Sequence, residues 1–378
     1  MADKDNKNTM DPRIADQGGA DRINNISYWL KRHFGRKMIK LSIDGGFTCP
    51  NRDGAKGVGG CLFCGEGAGG DFASDIDSQI KLYQAKWPDA GYIAYFQNHT
   101  NTYTPILPIR DTPGLPVQTR SESAYPHDLP VQTRSESTDP DDLPVQIWSE
   151  SAGSADAVDT QSDTITGSLP ADVDVLRTKY MAALDDPRIS GIAIATRPDC
   201  LPPDVLDLLA EINEHHFMWV ELGLQSSSDD TAMLINRCYP TEVYDQAMQA
   251  LNSRGIKTVT HLILGLPGES EHDMRCSVEH AIKMNTWGIK LHMLNVVRGS
   301  RLAVEMPDYV PFQSMDEYIN LVCDLLEIIP PEITIHRLTA DAPRSTLIAP
   351  EWSYMKRSIL NGIHAELRRR NTYQGIHT

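Results

Sequence analysis

No stretch of this 378-residue chain approaches the roughly 18 to 20 consecutive apolar residues that a membrane-spanning helix needs, so no membrane association is expected. The N-terminal segment MADKDNKNTMDPRIADQGGAD lacks the apolar core of a secretory signal, and a cytoplasmic location follows as the expectation. Cysteine is sparse and odd in number. Seven residues, three of them clustered early, exclude an extracellular disulfide framework; in a reducing compartment such a cluster more often binds metal. Positive charge is also short, with 35 Lys and Arg against 51 Asp and Glu and a net charge of −16, which weighs against a nucleic-acid partner. That deficit is uneven. Between Arg110 and Pro170 there are 3 basic and 11 acidic residues, a net of −8 and half of the whole excess. The C-terminal end runs the other way, with Lys356, Arg357, Arg368, Arg369 and Arg370. Such a stripe can contact phosphate, although a solvated helix face is the plainer reading.

What the chain does contain is a tandem repeat and a β/α alternation. LPVQTRSES begins at Leu115 and again at Leu129, and LPVQIWSES follows at Leu143, a strict period of 14. The units carry too few large apolar residues to stack as a solenoid. Residues 111–167 are therefore expected to be a low-complexity insertion without stable structure, and residues 1–25 a disordered leader. A docking segment for a partner is the functional alternative for the insertion. Apolar strand patterns occur at 37–44, 91–96, 191–196, 216–225, 258–264 and 289–296, with a seventh possible at 332–338. Helical patterns fall at 26–34, 173–184, 203–213, 243–254 and 271–285, with terminal helices after Trp352. Buried strands alternating with helices imply a parallel sheet. The first strand runs into Gly45, Gly46 and the cysteines, not into a G-x-G-x-x-G turn, which favours an incomplete TIM-like (β/α)6 barrel over a dinucleotide fold.

Chemistry concentrates directly after that first strand. SIDGGFTCPNRDGAKGVGGCLFCGEG places Cys49, Cys61 and Cys64 as C-x11-C-x2-C on a glycine-rich loop, at the strand end where parallel α/β folds bind ligands. Cys61 and Cys64 can turn toward one centre, and Cys49 reaches it through the flexible loop. The count is informative. A structural zinc site is closed by four protein ligands, whereas a four-iron cluster held by three thiolates keeps one iron open. An open iron is what a radical S-adenosylmethionine (SAM) enzyme requires: SAM chelates it, one electron reaches the sulfonium, and the C–S bond breaks to give a 5′-deoxyadenosyl radical. The competing readings are a zinc site completed by His33 or His99, and unliganded structural cysteines. Cys200, Cys238, Cys276 and Cys323 are spaced without pattern and read as small buried hydrophobes.

The motifs LSIDGGFTCPNRDG…GGCLFC, YFQNHTNTY, GIAIATRPDCLP, VELGLQS, HLILGLPGE and HRLTADAPR resemble, in order, a bacterial radical SAM family. That family is related to the radical SAM half of the Elongator catalytic subunit (the Elp3-like group). The resemblance runs from about residue 26 to 375 apart from the insertion and includes the wide cysteine spacing. No acetyltransferase domain is expected after the barrel. It implies a radical SAM barrel at 26–110 and 168–340 with a C-terminal helical extension at 341–378, a [4Fe-4S] cluster, SAM, and flavodoxin or ferredoxin as electron donor. It also implies tRNA as partner, with the wobble-uridine side chain at carbon 5 remodelled. A radical SAM enzyme acting on a peptide or small metabolite, and a non-catalytic metal-binding or RNA-binding barrel, stay as alternatives.

Polar residues at strand ends supply the candidate cofactor contacts. Gln97, Asn98 and Asn101 follow the second strand; loop residues satisfying their own turn are the plain alternative. Arg197 can pair with a carboxylate or phosphate, or with Asp199 or Asp204. Glu221 and Gln225 share a strand face by period two and suit ribose or the sulfonium region, with an ion pair inside the barrel as the alternative. His261 opens the fifth strand's motif, and Lys290 and His292 alternate on the sixth as substrate contacts. Asp341 and Arg344 are placed to close the barrel mouth. No residue is assigned as a catalytic group.

Overall fold

A computed structural model of the protein describes residues 22–65, 74–105 and 164–378. The chain divides into two units, Met1–Ile106 with Asp163–Thr378, and Leu107–Ser162. The second unit, with the repeats, lies outside the described residues, as do residues 1–21 of the predicted leader. Both predicted low-complexity spans end in anchored residues. Ile23 is buried and Asn24 N donates to Gln374 Oε1 at 2.9 Å. Ile165 is 1% exposed within the main core, and Thr166 N donates to Gln246 Oε1 at 2.7 Å.

Among the described residues the strands are β1 (Met38–Ile43), β2 (Gly91–Phe96), β3 (Ile189–Thr196), β4 (Met218–Gln225), β5 (Lys257–Leu264), β6 (Gly288–Met293), β7 (Val296–Val297), β8 (Thr334–Arg337) and β9 (Leu347–Ala349). The helices are α1 (Ile26–Phe34), α2 (Ile76–Gln84), α3 (Val173–Leu184), α4 (Pro203–His215), α5 (Asp229–Leu234), α6 (Thr241–Ser253), α7 (Glu271–Lys283), α8 (Arg301–Glu305), α9 (Met315–Ile328) and α10 (Lys356–Arg370). Seven strands pair in the order β1-β2-β3-β4-β5-β6-β8, every pair parallel. This order never reverses, so there is no switch point of the doubly wound kind. The sheet is a partial barrel of seven strands, one more than the six expected, because the optional strand at 332–338 forms. β7 and β9 make a small antiparallel pair of their own.

Helix starts follow from local chemistry. Asn25 accepts from Ser27 N at 2.8 Å to cap α1, and Gly35 ends it at φ 68°, a left-handed conformation that suits glycine. Pro203 opens α4, as its fixed φ allows at a first helical position. Ser270 with Asp273 and Ser314 with Glu317 form capping boxes on α7 and α9. Helix α9 is absent from the helical spans expected above, although its capping box and its buried Tyr318, Val322, Leu325 and Leu326 are helical signals.

The two faces of the sheet differ in kind. One carries Leu41, Ala94, Phe96, Ile192, Ile194, Val220, Leu222, Leu262, Ile289 and Leu291 into the main core beneath the helices. The other carries Met38, Ile93, Tyr95, Ala193, Ala195, Trp219 and Val259 into the barrel, closed from below by Ile26 and Leu30 of α1. Trp29 of α1 packs against Trp287 at 5.1 Å and Phe217 at 5.8 Å, both beside the strands' amino ends. This plug seals one end, and the inward-facing residues nearer the carboxyl ends are polar or charged. Only that end is left for chemistry.

Candidate active site

Loop 44–65 is shaped by its own hydrogen bonds. Arg52 N donates to Cys49 O at 2.8 Å, Lys56 N to Pro50 O at 2.8 Å, Gly60 N to Asn51 O at 2.8 Å and Cys64 N to Cys61 O at 3.0 Å. Leu62, 1% exposed, pins the turn between the two last cysteines against Ile235, Leu266, Leu294 and Leu302. Asn51 is fully buried: its amide donates to Asn236 O and approaches Cys61 Sγ at 3.5 Å, while its carbonyl accepts from Cys238 Sγ at 3.0 Å. A Cβ on Gly57 would stand 2.2 Å from Asn51 Oδ1, so glycine is required for this close approach.

Cys49, Cys61 and Cys64 open onto one cavity of about 780 Å³ at the carboxyl ends of the strands, and the other four cysteines do not line it. Cys61 and Cys64 share a thiol contact: the hydrogen bond from Cys64 holds the Cys61 thiol down to about 6, while the same bond and burial push Cys64 well up. No three His, Cys, Asp or Glu side chains among the described residues converge on a single-ion position. His33 stacks on Trp29 at 4.9 Å at the far end of the barrel, away from this loop. His99 does line the cavity, with Nδ1 buried and unpartnered. Three thiols facing one polar chamber match the donor set of a cube with one open corner, where each thiolate meets a different iron.

The wall across from the loop is built by strands. Glu221 on β4 is the hub: its Oε2 accepts from Tyr95 OH at 2.6 Å, from His261 Nε2 at 2.8 Å and from Lys290 Nζ, and its Oε1 accepts from Trp219 Nε1 at 2.9 Å. Lys290 Nζ also donates to Tyr95 OH at 2.7 Å, and Lys40 Nζ lies 4.0 Å from Oε1. Burial alone would raise this carboxyl, but Lys290 and Lys40 hold it well below its usual range. A carboxylate accepts only, so the His261 proton sits on Nε2. Burial and the Lys290 charge bring His261 down to about 4, which leaves a neutral ring with Nδ1 as a hydrogen-bond acceptor. The His292 ring lies beside it at 5.3 Å, tilted by 37°, and is also held neutral by burial.

The other expected contacts divide. Gln97, Arg197, Gln225, Lys290, His292 and Asp341 line the cavity together with Glu221 and His261. Arg197 is fastened to Asp199 by two 2.8 Å bonds and lies 4.7 Å from the Tyr239 ring, so the Asp199 pairing forms. Gln225 adopts φ 61° and accepts from Tyr239 OH at 3.2 Å. Asn98 and Asn101 are buried and do not line the cavity; Asn101 Nδ2 donates to Ala195 O at 2.8 Å, a strand-tying role. Glu221 forms the internal ion pair weighed against ribose binding, with both oxygens occupied. Arg344 rests on the Tyr354 ring at 4.3 Å and does not line the cavity.

Two arginines of the C-terminal stripe are neutralised. Arg369 and Arg370 bond Glu366 at 2.6 to 2.7 Å, and Arg370 also reaches Asp324, so the helix-face reading holds there. Cations gather at the cavity, where Arg52, Arg197, Arg237, Lys290, Arg298, Arg337 and, from the stripe, Lys356 line it with two carboxylates, Glu221 and Asp341. Sequence reasoning missed Tyr95, Arg237, Arg298 and Arg337, because strand and loop residues of this kind carry no spacing signal.

A partial parallel barrel whose carboxyl-end cavity is bordered by three loop thiols defines a class of iron–sulfur enzyme architecture. The Radical SAM superfamily model matches residues 149–281, and the Radical_SAM C-terminal domain model matches 286–369. The superfamily match starts within the predicted insertion and so lies after the cysteine loop. YtqA of Bacillus subtilis (strain 168) is 36% identical over 94% of this chain and 92% of its own. YhcC of Escherichia coli (strain K12) is 32% identical over 85% of each. A tRNA uridine(34) acetyltransferase of Dehalococcoides mccartyi is 27% identical over 57% of this chain and 45% of its own. The chain belongs to the radical SAM superfamily, whose enzymes use a [4Fe-4S] cluster and SAM, and to the group that contains YtqA and YhcC.

Proposed function

We propose that Cys49, Cys61 and Cys64 hold the cluster, that SAM takes the open iron, and that the enzyme modifies the side chain of a tRNA wobble uridine. The observation that carries the cofactor assignment is the set of three thiols on one cavity, with no other cysteine lining it. Bound there, the pair would supply reductive cleavage of the sulfonium C–S bond and hydrogen abstraction from a substrate carbon. The chain's own groups do the positioning. Arg197, held rigid by Asp199, offers a guanidinium to a carboxylate, and Gln97 and Gln225 offer amides. His261, fixed by Glu221, presents an acceptor to a ligand N–H or O–H.

The substrate assignment draws on the family resemblance, on similarity to a tRNA uridine(34) acetyltransferase, and on the cationic cavity of a strongly acidic chain. We expect a cytoplasmic enzyme reduced by flavodoxin or ferredoxin. Anaerobic reconstitution should give a brown protein with about four irons that releases 5′-deoxyadenosine when reduced; a colourless protein with one zinc would reject the cofactor assignment. Nucleoside analysis of tRNA from a strain lacking the gene should show an altered wobble uridine. An unchanged profile would remove tRNA as substrate.

A further inference from the structure

Three cations stand on the rim of the cavity, on three different elements. Arg337 ends β8 and pairs with Asp341 Oδ2 at 3.1 Å. Lys356 opens α10 and pairs with the same carboxylate. Arg298 follows β7, where its backbone N donates to Thr346 O at 2.7 Å; its exposed side chain forms no hydrogen bond or ion pair among the described residues. One carboxylate thus serves two cations, and a third has none. The surplus is felt across the chamber: the Arg337 charge helps push down Lys40, His261, Lys290, His292 and Lys356. A site so arranged gains from an added anion. Access is graded, with the Arg337 side chain 23% exposed and that of Lys356 42% exposed. An open track of cations suits a polyanion lying across the mouth better than a single enclosed ion. Guanidinium forks also match phosphate oxygens.

We propose that Arg298, Arg337 and Lys356 form a phosphodiester subsite that holds a polynucleotide backbone at the cavity mouth while one unstacked base enters. This rests on the nucleic-acid reading above and adds to it which residues take the backbone and how Asp341 acts. Asp341 keeps Arg337 and Lys356 in place and competes with phosphate for them.

The test measures binding of a fluorescent anticodon stem-loop RNA to reconstituted full-length enzyme at several salt concentrations, without oxygen. Each phosphate contact contributes about 0.7 to the slope of log K against log salt for single strands. R298Q and R337Q should each lower the slope by about that amount and weaken binding about fivefold at 0.1 M salt. D341N should shift affinity the other way, because it removes the competing carboxylate. SAM affinity, read by equilibrium dialysis, should not move in any of the three. Wild-type enzyme that binds no RNA would remove the nucleic-acid reading and this subsite together. Wild-type binding with unchanged slopes in R298Q and R337Q would overturn the subsite alone. Weaker binding in D341N would make the cluster a structural one, and loss of SAM affinity in R337Q would assign the anion to SAM. R298Q keeps the test valid if R337Q fails to fold, since Arg298 holds no partner in place.

Discussion

The two walls of the cavity are built by opposite means. The thiol wall is a loop, shaped by backbone hydrogen bonds, by glycine at a position where a side chain would strike Asn51, and by the buried Asn51 and Leu62 as its anchors. The facing wall consists of strand residues locked by side-chain pairs around Glu221, with Lys290 1% exposed and Glu221 fully covered. A loop can expose thiols to an incoming cluster and yield slightly as it binds. Strands hold charges at fixed distances, but every charge there must be matched because water does not reach it. Removing a side chain from the first wall should therefore cost a cofactor, and removing one from the second should cost stability.

The largest expected effect is on the thiol wall. Cys61→Ser or Cys64→Ser should reduce iron after anaerobic reconstitution from about four per chain to below about one, with no 5′-deoxyadenosine formed. The urea midpoint of the metal-free protein should stay close to that of the parent. Retention of a full cluster by either variant would break the assignment of these thiols. Next comes the hub of the facing wall. Glu221→Gln leaves Lys290 and Lys40 without their carboxylate and should cost roughly 3 to 5 kcal/mol in urea unfolding. Adding Lys290→Met should restore part of that loss, since a pair removed together is cheaper than a pair broken. A single substitution costing less than about 1 kcal/mol would show that the cluster is not a closed charge balance.

The same contrast explains what was legible before the structure. The cysteine loop announced itself, since three thiols at C-x11-C-x2-C after an apolar strand have few other uses. The β/α order was readable because strands such as Gly91–Phe96 and helices such as Val173–Leu184 have the expected apolar periods. The facing wall was half hidden. A glutamate inside an apolar strand marked Glu221, and Trp219 lies two residues before it on the same strand, but its partners Tyr95 and Lys290 come from other strands whose pairing only the register sets. Asn98 and Asn101 drew attention for being polar at a strand end; both are buried and do not line the cavity, although their neighbours Gln97, His99 and Thr100 do. The C-terminal arginines drew attention as a stripe, and two acidic partners of Arg370, Asp324 and Glu327, lie on α9, a helix outside the expected helical spans.

A smaller effect should appear in the pH dependence of stability. His261 takes up its proton at about 4 in the folded protein, against 6.5 for a free histidine. Between those values the unfolded chain binds a proton that the folded chain does not, so stability falls as pH drops from 6.5 toward 4. His261→Asn removes this source, and the slope of unfolding free energy against pH should flatten by up to about 1.4 kcal/mol per pH unit in that window. Above pH 7.5 the contribution of the histidine titration should vanish. An unaltered slope below pH 6 would mean that the ring is charged in the folded state and that burial and the Lys290 charge do not outweigh Glu221.

The smallest effect belongs to a charge cluster that looks similar on paper. Glu366 on α10 is held down to about 2 by Arg369 and Arg370 and accepts from both. Its carboxyl therefore supplies stability that is complete above the usual glutamate range and is lost progressively as pH falls from 4.5 to about 2. Solvent screens this surface network, and the Arg369 side chain is 72% exposed. Glu366→Gln should cost no more than about 1 kcal/mol in urea unfolding, and less in high salt, whereas Glu221→Gln should hardly respond to salt. A Glu366→Gln loss as large as that of Glu221→Gln would mean that burial does not separate the two clusters. The contrast between a screened surface network and a matched interior one would then fail.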